Sequence, residues 1–158
     1  MPLKLDANFC ELLSAFRVCN VRYLKIGGWA VSVHAQPRAT QDLDIFVSSE
    51  RSNIESLYEA LLRFGALLEN FAKSDFLKPG SFFRIGAPPC QMDIFPDVPG
   101  IRSVDCWPNR MEVPLETGIA QFISAEELIA AKRASGREQD LADIRAIETA
   151  LKQKPGNI

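Results

Sequence analysis

The sequence predicts an α/β fold of mixed α+β type: a mixed β-sheet flanked by helices, closed by a helical C-terminal segment. Three observations carry that expectation. Short apolar runs of strand length alternate with stretches of helical periodicity, a Gly27-Gly28 pair joins one such strand to one such helix, and the last third of the chain has helix-forming patterns only.

Phe9, Leu12, Leu13 and Phe16 recur at helical spacing between Asp6 and about Asn20, with Asp6 or Asn8 placed to cap the start. Arg22 to Ile26 reads as a strand, the glycine pair interrupts it, and Trp29 to about Ala35 reads as a short second helix. A loop through Gln36-Pro37-Arg38 leads to Asp42–Val47, where Leu43, Ile45 and Phe46 mark a short buried strand. Ser52 to Phe64 carries Ile54, Leu57, Leu61 and Leu62 on a helical face and stops at Gly65, which suits a helix C-terminus. Candidate strands follow at Leu67–Phe71, Ser81–Ile85 and Gln91–Phe95, separated by Pro79-Gly80 and by Gly86 to Pro89. Arg110 to Val113 adds an edge strand. Ser124 opens a capping box with Glu127, beginning a helix to about Ala134, and a second helix spans Glu138 to Leu151 after Gly136. The expected organisation is one domain over 1–158, with a sheet-containing core over 1–115 and the C-terminal helices over 120–152. There are no internal repeats.

The 158 residues, 47% apolar and 24% charged, suit one globular core. With 18 basic and 20 acidic residues, a formal charge of -2 supplies no global positive field for nucleic acid or an anionic membrane, so such a contact would have to be local. Apolar runs are far shorter than a bilayer span and the N-terminus has no leader pattern, which leads to the expectation of a cytoplasmic protein without membrane association. Cys10, Cys19, Cys90 and Cys106 form no CxxC pair, and with His34 as the one histidine they do not make a zinc set of usual spacing. Reduced packing cysteines are expected.

Asp42 and Asp44 stand two apart on a strand, so both carboxylates leave one face, about 6.5 to 7 Å apart, while Leu43 and Ile45 enter the core. Two carboxylates facing one point repel each other unless a cation lies between them, and hard oxygen ligands suit Mg²⁺ or Mn²⁺. Asp93, polar within Met92-Asp93-Ile94, is a third carboxylate able to join from a neighbouring strand. An isolated Asp-Leu-Asp is also consistent with a solvated strand end. The context gives it weight: Gly27 and Gly28 let backbone approach phosphate closely, and the helix that follows offers free N–H groups and a positive dipole end.

Together, Lys25-Ile-Gly-Gly-Trp-Ala, Pro37-Arg-Ala-Thr and Asp42-Leu-Asp-Ile resemble the signature of the DNA-polymerase-β-type nucleotidyltransferase superfamily. More narrowly, they resemble minimal bacterial nucleotidyltransferases that include toxin components of toxin–antitoxin pairs. Leu128-Ile-Ala-Ala-Lys-Arg and Asp140-Leu-Ala-Asp are similar to the family's Lys and paired-Asp helical motif, so the likeness runs from about Tyr23 to Ile147. It implies a nucleotidyltransferase-type sheet with Asp42, Asp44 and Asp93 as catalytic metal ligands, and nucleoside triphosphate as substrate at Gly27, Gly28, Arg38, Thr40 and Lys132. Two departures stand out: Ala35 follows His34 where relatives often have Gly, and Gly28 replaces a Ser that would offer phosphate a hydroxyl.

The implied chemistry is transfer of a nucleoside monophosphate to a hydroxyl acceptor on an RNA end, a protein or a small molecule, with release of pyrophosphate. A non-catalytic nucleotide- or partner-binding module of the same fold is the alternative. Arg38 reads either as a phosphate fork or as a surface residue, Lys132 either as a triphosphate contact or as part of a solvated helix face. Asp140 and Asp143 read as orienting groups for Lys132 or Arg133. Packing is expected for His34, Trp29, Phe82 and Phe83. An RNA acceptor would need a basic track, for which Arg38, Arg84, Arg102, Lys132, Arg133 and Arg137 are the candidates. An antitoxin partner and a monomer or homodimer complete the expectations.

Overall fold

The computed structural model describes residues 5–35, 42–87 and 91–153. Helix α1 (Ala7–Val18) starts where the Asp6 carboxylate accepts the Asn8 N–H at 2.8 Å, and it buries the four apolar residues of its periodic face. Strand β1 (Tyr23–Ile26) runs into α2 (Gly27–His34), followed by β2 (Leu43–Val47) and α3 (Arg51–Phe64). Then come β3 (Phe83–Ile85), β4 (Met92–Phe95), the short α4 (Ser103–Cys106), β5 (Met111–Leu115), β6 (Gly118–Phe122), α5 (Ala125–Ser135) and α6 (Glu138–Gln153). Gly65 ends α3 at φ 95°, the left-handed conformation that glycine adopts without a Cβ penalty.

Six strands form one mixed sheet in the order β3-β4-β2-β1-β6-β5. The pairs β2–β4 and β1–β6 are parallel and the other three antiparallel. Central β1 is buried along its whole length, as a strand covered on both faces must be. On one face Tyr23 joins Leu43, Ile45, Val47 and Ile94 in the core; the other carries Leu24, Ile26 and Phe46. Helix α1 packs with α3, α5 with α6, and α2 bridges the sheet to α6.

Four expectations are corrected. Gly27 and Gly28 are not a break between strand and helix: they are the first two residues of α2, so β1 and α2 join without a loop. Leu67–Phe71 is not a strand. Glu69-Asn70 turn the chain, Leu67 is solvent-exposed, and Phe71 packs edge-on against Phe76 and Phe83, leading into a 3₁₀ segment at Lys73–Leu77. The segment lacked the alternation that a half-buried strand requires. Thirdly, the sheet does not stop at residue 115: a two-residue turn at Glu116-Thr117 returns the chain as β6, which pairs with central β1. Finally, α4 supplies a helical turn where none was expected.

Candidate active site

Register does the assembling. Ile26 pairs with Asp44, and Asp44 pairs with Asp93, so these positions share one sheet face on three adjacent strands. Asp42 immediately precedes β2 and is half-buried, as is Asp44, while Asp93 is buried. The three sequence-predicted carboxylates therefore belong to one end of one face. Arg38 and Thr40 lie outside the described residues.

Gly27 meets Asp44 directly. Its φ of +74° favours glycine, and a Cβ at this position would lie 2.5 Å from Asp44 Oδ2. The missing side chain is thus a steric requirement of the carboxylate as much as a backbone one. Helix α2 begins here without a side-chain cap, and Gly28 is buried behind it. Its first N–H groups therefore need partners other than a capping side chain.

Beneath this junction lies Lys25, wholly inaccessible to solvent, whose Nζ donates to the Asp44 carbonyl at 2.9 Å and to the Ile26 carbonyl at 3.3 Å. Burial pushes this ammonium down to about 7, with the nearby Asp44 charge acting in the opposite direction. Asp44 in turn is pushed above the usual carboxylate range, first by burial; Lys25 opposes this, while Asp93 and Asp42 add like-charge repulsion. Asp93 is held from the edge strand: Arg84 Nε donates to Oδ1 at 2.9 Å and Nη2 to Oδ2 at 3.1 Å.

The far wall comes from α5 and α6. Lys132 is buried and donates to Asp143 Oδ2 at 2.9 Å and Asp140 Oδ1 at 3.4 Å. The paired acids do orient this lysine; Arg133 instead reaches Glu148 at 2.8 Å. Asp140 also takes Arg137 Nε at 2.9 Å. Burial alone would raise Asp140, but the bonds from Arg137 and Ser135 and the charges of Lys132 and Arg137 bring it down to about 2. Between the two walls lies a cleft of about 260 Å³ bounded by Gly27, Asp44, Phe95, Asp97, Lys132 and Arg137 among others.

Sequence reasoning missed two of these roles. Arg137, which the sequence offers only as part of a basic track, lines the cleft. Asp97 lies four residues beyond Asp93 and also lines it, a placement set by the turn after β4. Of the expected packing residues, His34 is buried with Nε2 2.7 Å from the Ile123 carbonyl, and Phe83 is in the core. Phe82 is not: it is exposed and stacks on Phe95, ring centroids 5.5 Å apart.

Among the described residues no group of three or more His, Cys, Asp or Glu side chains converges closely enough to hold a metal ion. By donor chemistry Asp42, Asp44 and Asp93 fit a hard divalent cation, whose charge would offset both the burial and the like-charge repulsion that raise Asp44. No helix among the described residues is long and apolar enough to cross a membrane.

No protein-family model and no curated protein matches the chain. Solved structures do. It is similar to the lincosamide antibiotic adenylyltransferase LnuA in its lincomycin-bound form, at 18% identity and TM-score 0.57, covering 92% of this chain and 98% of that one. It is similar to the antibiotic-resistance factor ANT(2'')-Ia, at 16% identity and TM-score 0.59, covering 91% and 82%. An antigenic nucleotidyltransferase-like protein from Paracoccidioides brasiliensis matches at 17% identity and TM-score 0.52, covering 96% and 78%. The architecture of this chain is that of the nucleotidyltransferase fold.

Proposed function

We propose that this chain is a metal-dependent nucleotidyltransferase that moves a nucleoside monophosphate from a nucleoside triphosphate to a hydroxyl acceptor. The observation that carries the reading is the register Ile26–Asp44–Asp93, which brings two acids onto one sheet face, with Asp44 beside Gly27 in the cleft that Lys132 and Arg137 also line.

The uncapped start of α2, with no side chain at Gly27 or Gly28, would take phosphate oxygens on backbone N–H groups. Arg137 would add a planar donor fork, and Lys132 a fixed positive charge already aligned by two aspartates. Asp93 would accept the proton of the acceptor hydroxyl. The acceptor oxygen then bonds to the α-phosphorus as the bond to pyrophosphate breaks, in line, with the positive groups stabilising the charge that moves to the leaving group. Mg²⁺ or Mn²⁺ held by Asp42, Asp44 and Asp93 would supply further charge neutralisation and lower the pKa of the acceptor hydroxyl.

A small-molecule acceptor is the better-supported class: two of the similar structures are named for action on, or resistance to, antibiotics, and a chain of charge -2 is poorly suited to hold a polyanion. A macromolecular acceptor would favour the toxin reading, with an antitoxin as partner. The test is incubation of the purified protein with Mg²⁺ and each α-labelled nucleoside triphosphate. Reactions would contain a panel of hydroxylated small molecules, total RNA or cell extract, and Asp44→Asn would run in parallel. Label should appear on an acceptor and fall by at least about 10²–10³-fold in the variant. Equal labelling by the variant would refute the assignment, and nucleotide binding without any transfer would favour the binding module.

A further inference from the structure

Among the described residues, Asp93 differs from the other two acids in having a cation in hydrogen-bond contact with its carboxylate. Arg84 on β3 faces Asp93 on β4 in direct register, and the guanidinium donates one N–H to each carboxylate oxygen. That two-point geometry is the strong form of an arginine–carboxylate pair. The Asp93 side chain is 8% exposed and that of Arg84 52%, so the acid is fixed in the protein while its partner has a route to water. Arg84 also lies over the Phe82 ring at 5.3 Å, which gives the guanidinium a contact independent of Asp93. A divalent ion bound to either oxygen of Asp93 would sit within a few ångströms of this positive charge and repel it.

We infer that Arg84 is a built-in counter-ion of Asp93 that competes with the divalent cation for that carboxylate. Loading the site moves Arg84 off Asp93 toward solvent and Phe82, and Arg84 thereby lowers the affinity of the free protein for metal. The inference rests on the metal reading above.

Binding of Mn²⁺ alone, measured by calorimetry or by the loss of its free-ion paramagnetic resonance signal, tests this without any turnover. Arg84→Met should bind Mn²⁺ about tenfold more tightly than the wild type, and Arg84→Lys, which keeps the charge but not the fork, should fall between them. Arg84→Gln serves if the Met variant loses its melting transition. Unchanged or weaker Mn²⁺ binding in the neutral variants overturns the inference and makes Arg84 a support that aims Asp93. Asp44→Asn separates the two levels. If it binds Mn²⁺ like the wild type, the ion is bound elsewhere and the metal reading falls, taking this inference with it. If it loses binding while Arg84 variants match the wild type, the inference alone fails.

Discussion

The two walls of the cleft handle buried charge in opposite ways. On the helical wall Asp140 and Asp143 are matched by Lys132 and Arg137 within hydrogen-bonding distance, and Asp140 is held at about 2, firmly ionised. On the strand wall Asp44 is raised first by burial, against which Lys25 acts, and its neighbours Asp93 and Asp42 add like-charge repulsion. Lys25 donates its hydrogen bonds to the backbone carbonyls of Ile26 and Asp44, while Asp44 lines the cleft. Removing one partner of a paired buried cluster leaves an uncompensated charge, whereas a buried carboxylate with no cation bonded to it is penalised until a ligand supplies the opposite charge.

That contrast can be broken most sharply at Asp143. Asp143→Asn removes one of the two carboxylates holding a buried ammonium and should cost roughly 3–5 kcal/mol of unfolding free energy, read from urea denaturation. A loss below about 1 kcal/mol would mean that the helical cluster is no more structural than the strand acids. Gly27→Ala comes next. Its Cβ would collide with Asp44 Oδ2 in a backbone conformation unfavourable to alanine, and a loss of about 1–3 kcal/mol is expected in the same measurement.

The smallest effect, and the one opposite in sign, belongs to Asp44→Asn. A carboxyl raised by folding contributes stability below its unfolded value of 3.8 and loses that contribution as pH rises through its folded value. Asparagine removes the charge that is penalised at neutral pH while keeping the shape. The variant should melt at the same temperature as the wild type or a few degrees higher at pH 7, with the difference narrowing toward pH 3.8. A clear fall in melting temperature would show that the Asp44 charge holds the fold together.

Legibility in sequence followed the range of the interactions involved. Helix α3 was plain because its apolar face and Gly65 are both local signals, and α5 because Ser124 and Glu127 are three residues apart. The Gly27–Asp44 contact was half legible: the glycines and the acid strand were visible, the collision that excludes a side chain at Gly27 was not. Strand β6 has no plain signal in the sequence although buried Ala120 and Phe122 alternate with exposed Ile119 and half-buried Gln121, because its hairpin turn at Glu116-Thr117 lacks the strongest turn residues. The Arg84–Asp93 pair carried no local signal, since it depends on which strands become neighbours.

By itself, then, the sequence determined the alternation of strands and helices and the two-residue spacing that turns Asp42 and Asp44 to one side. These follow from backbone periodicity, which acts over a few residues. Only the tertiary structure decided that Asp93 lies beside Asp44, that Arg84 holds Asp93, and that Lys25 is buried beneath the junction. Strand order and register come from packing the whole sheet against its helices, and no window of sequence contains that free energy.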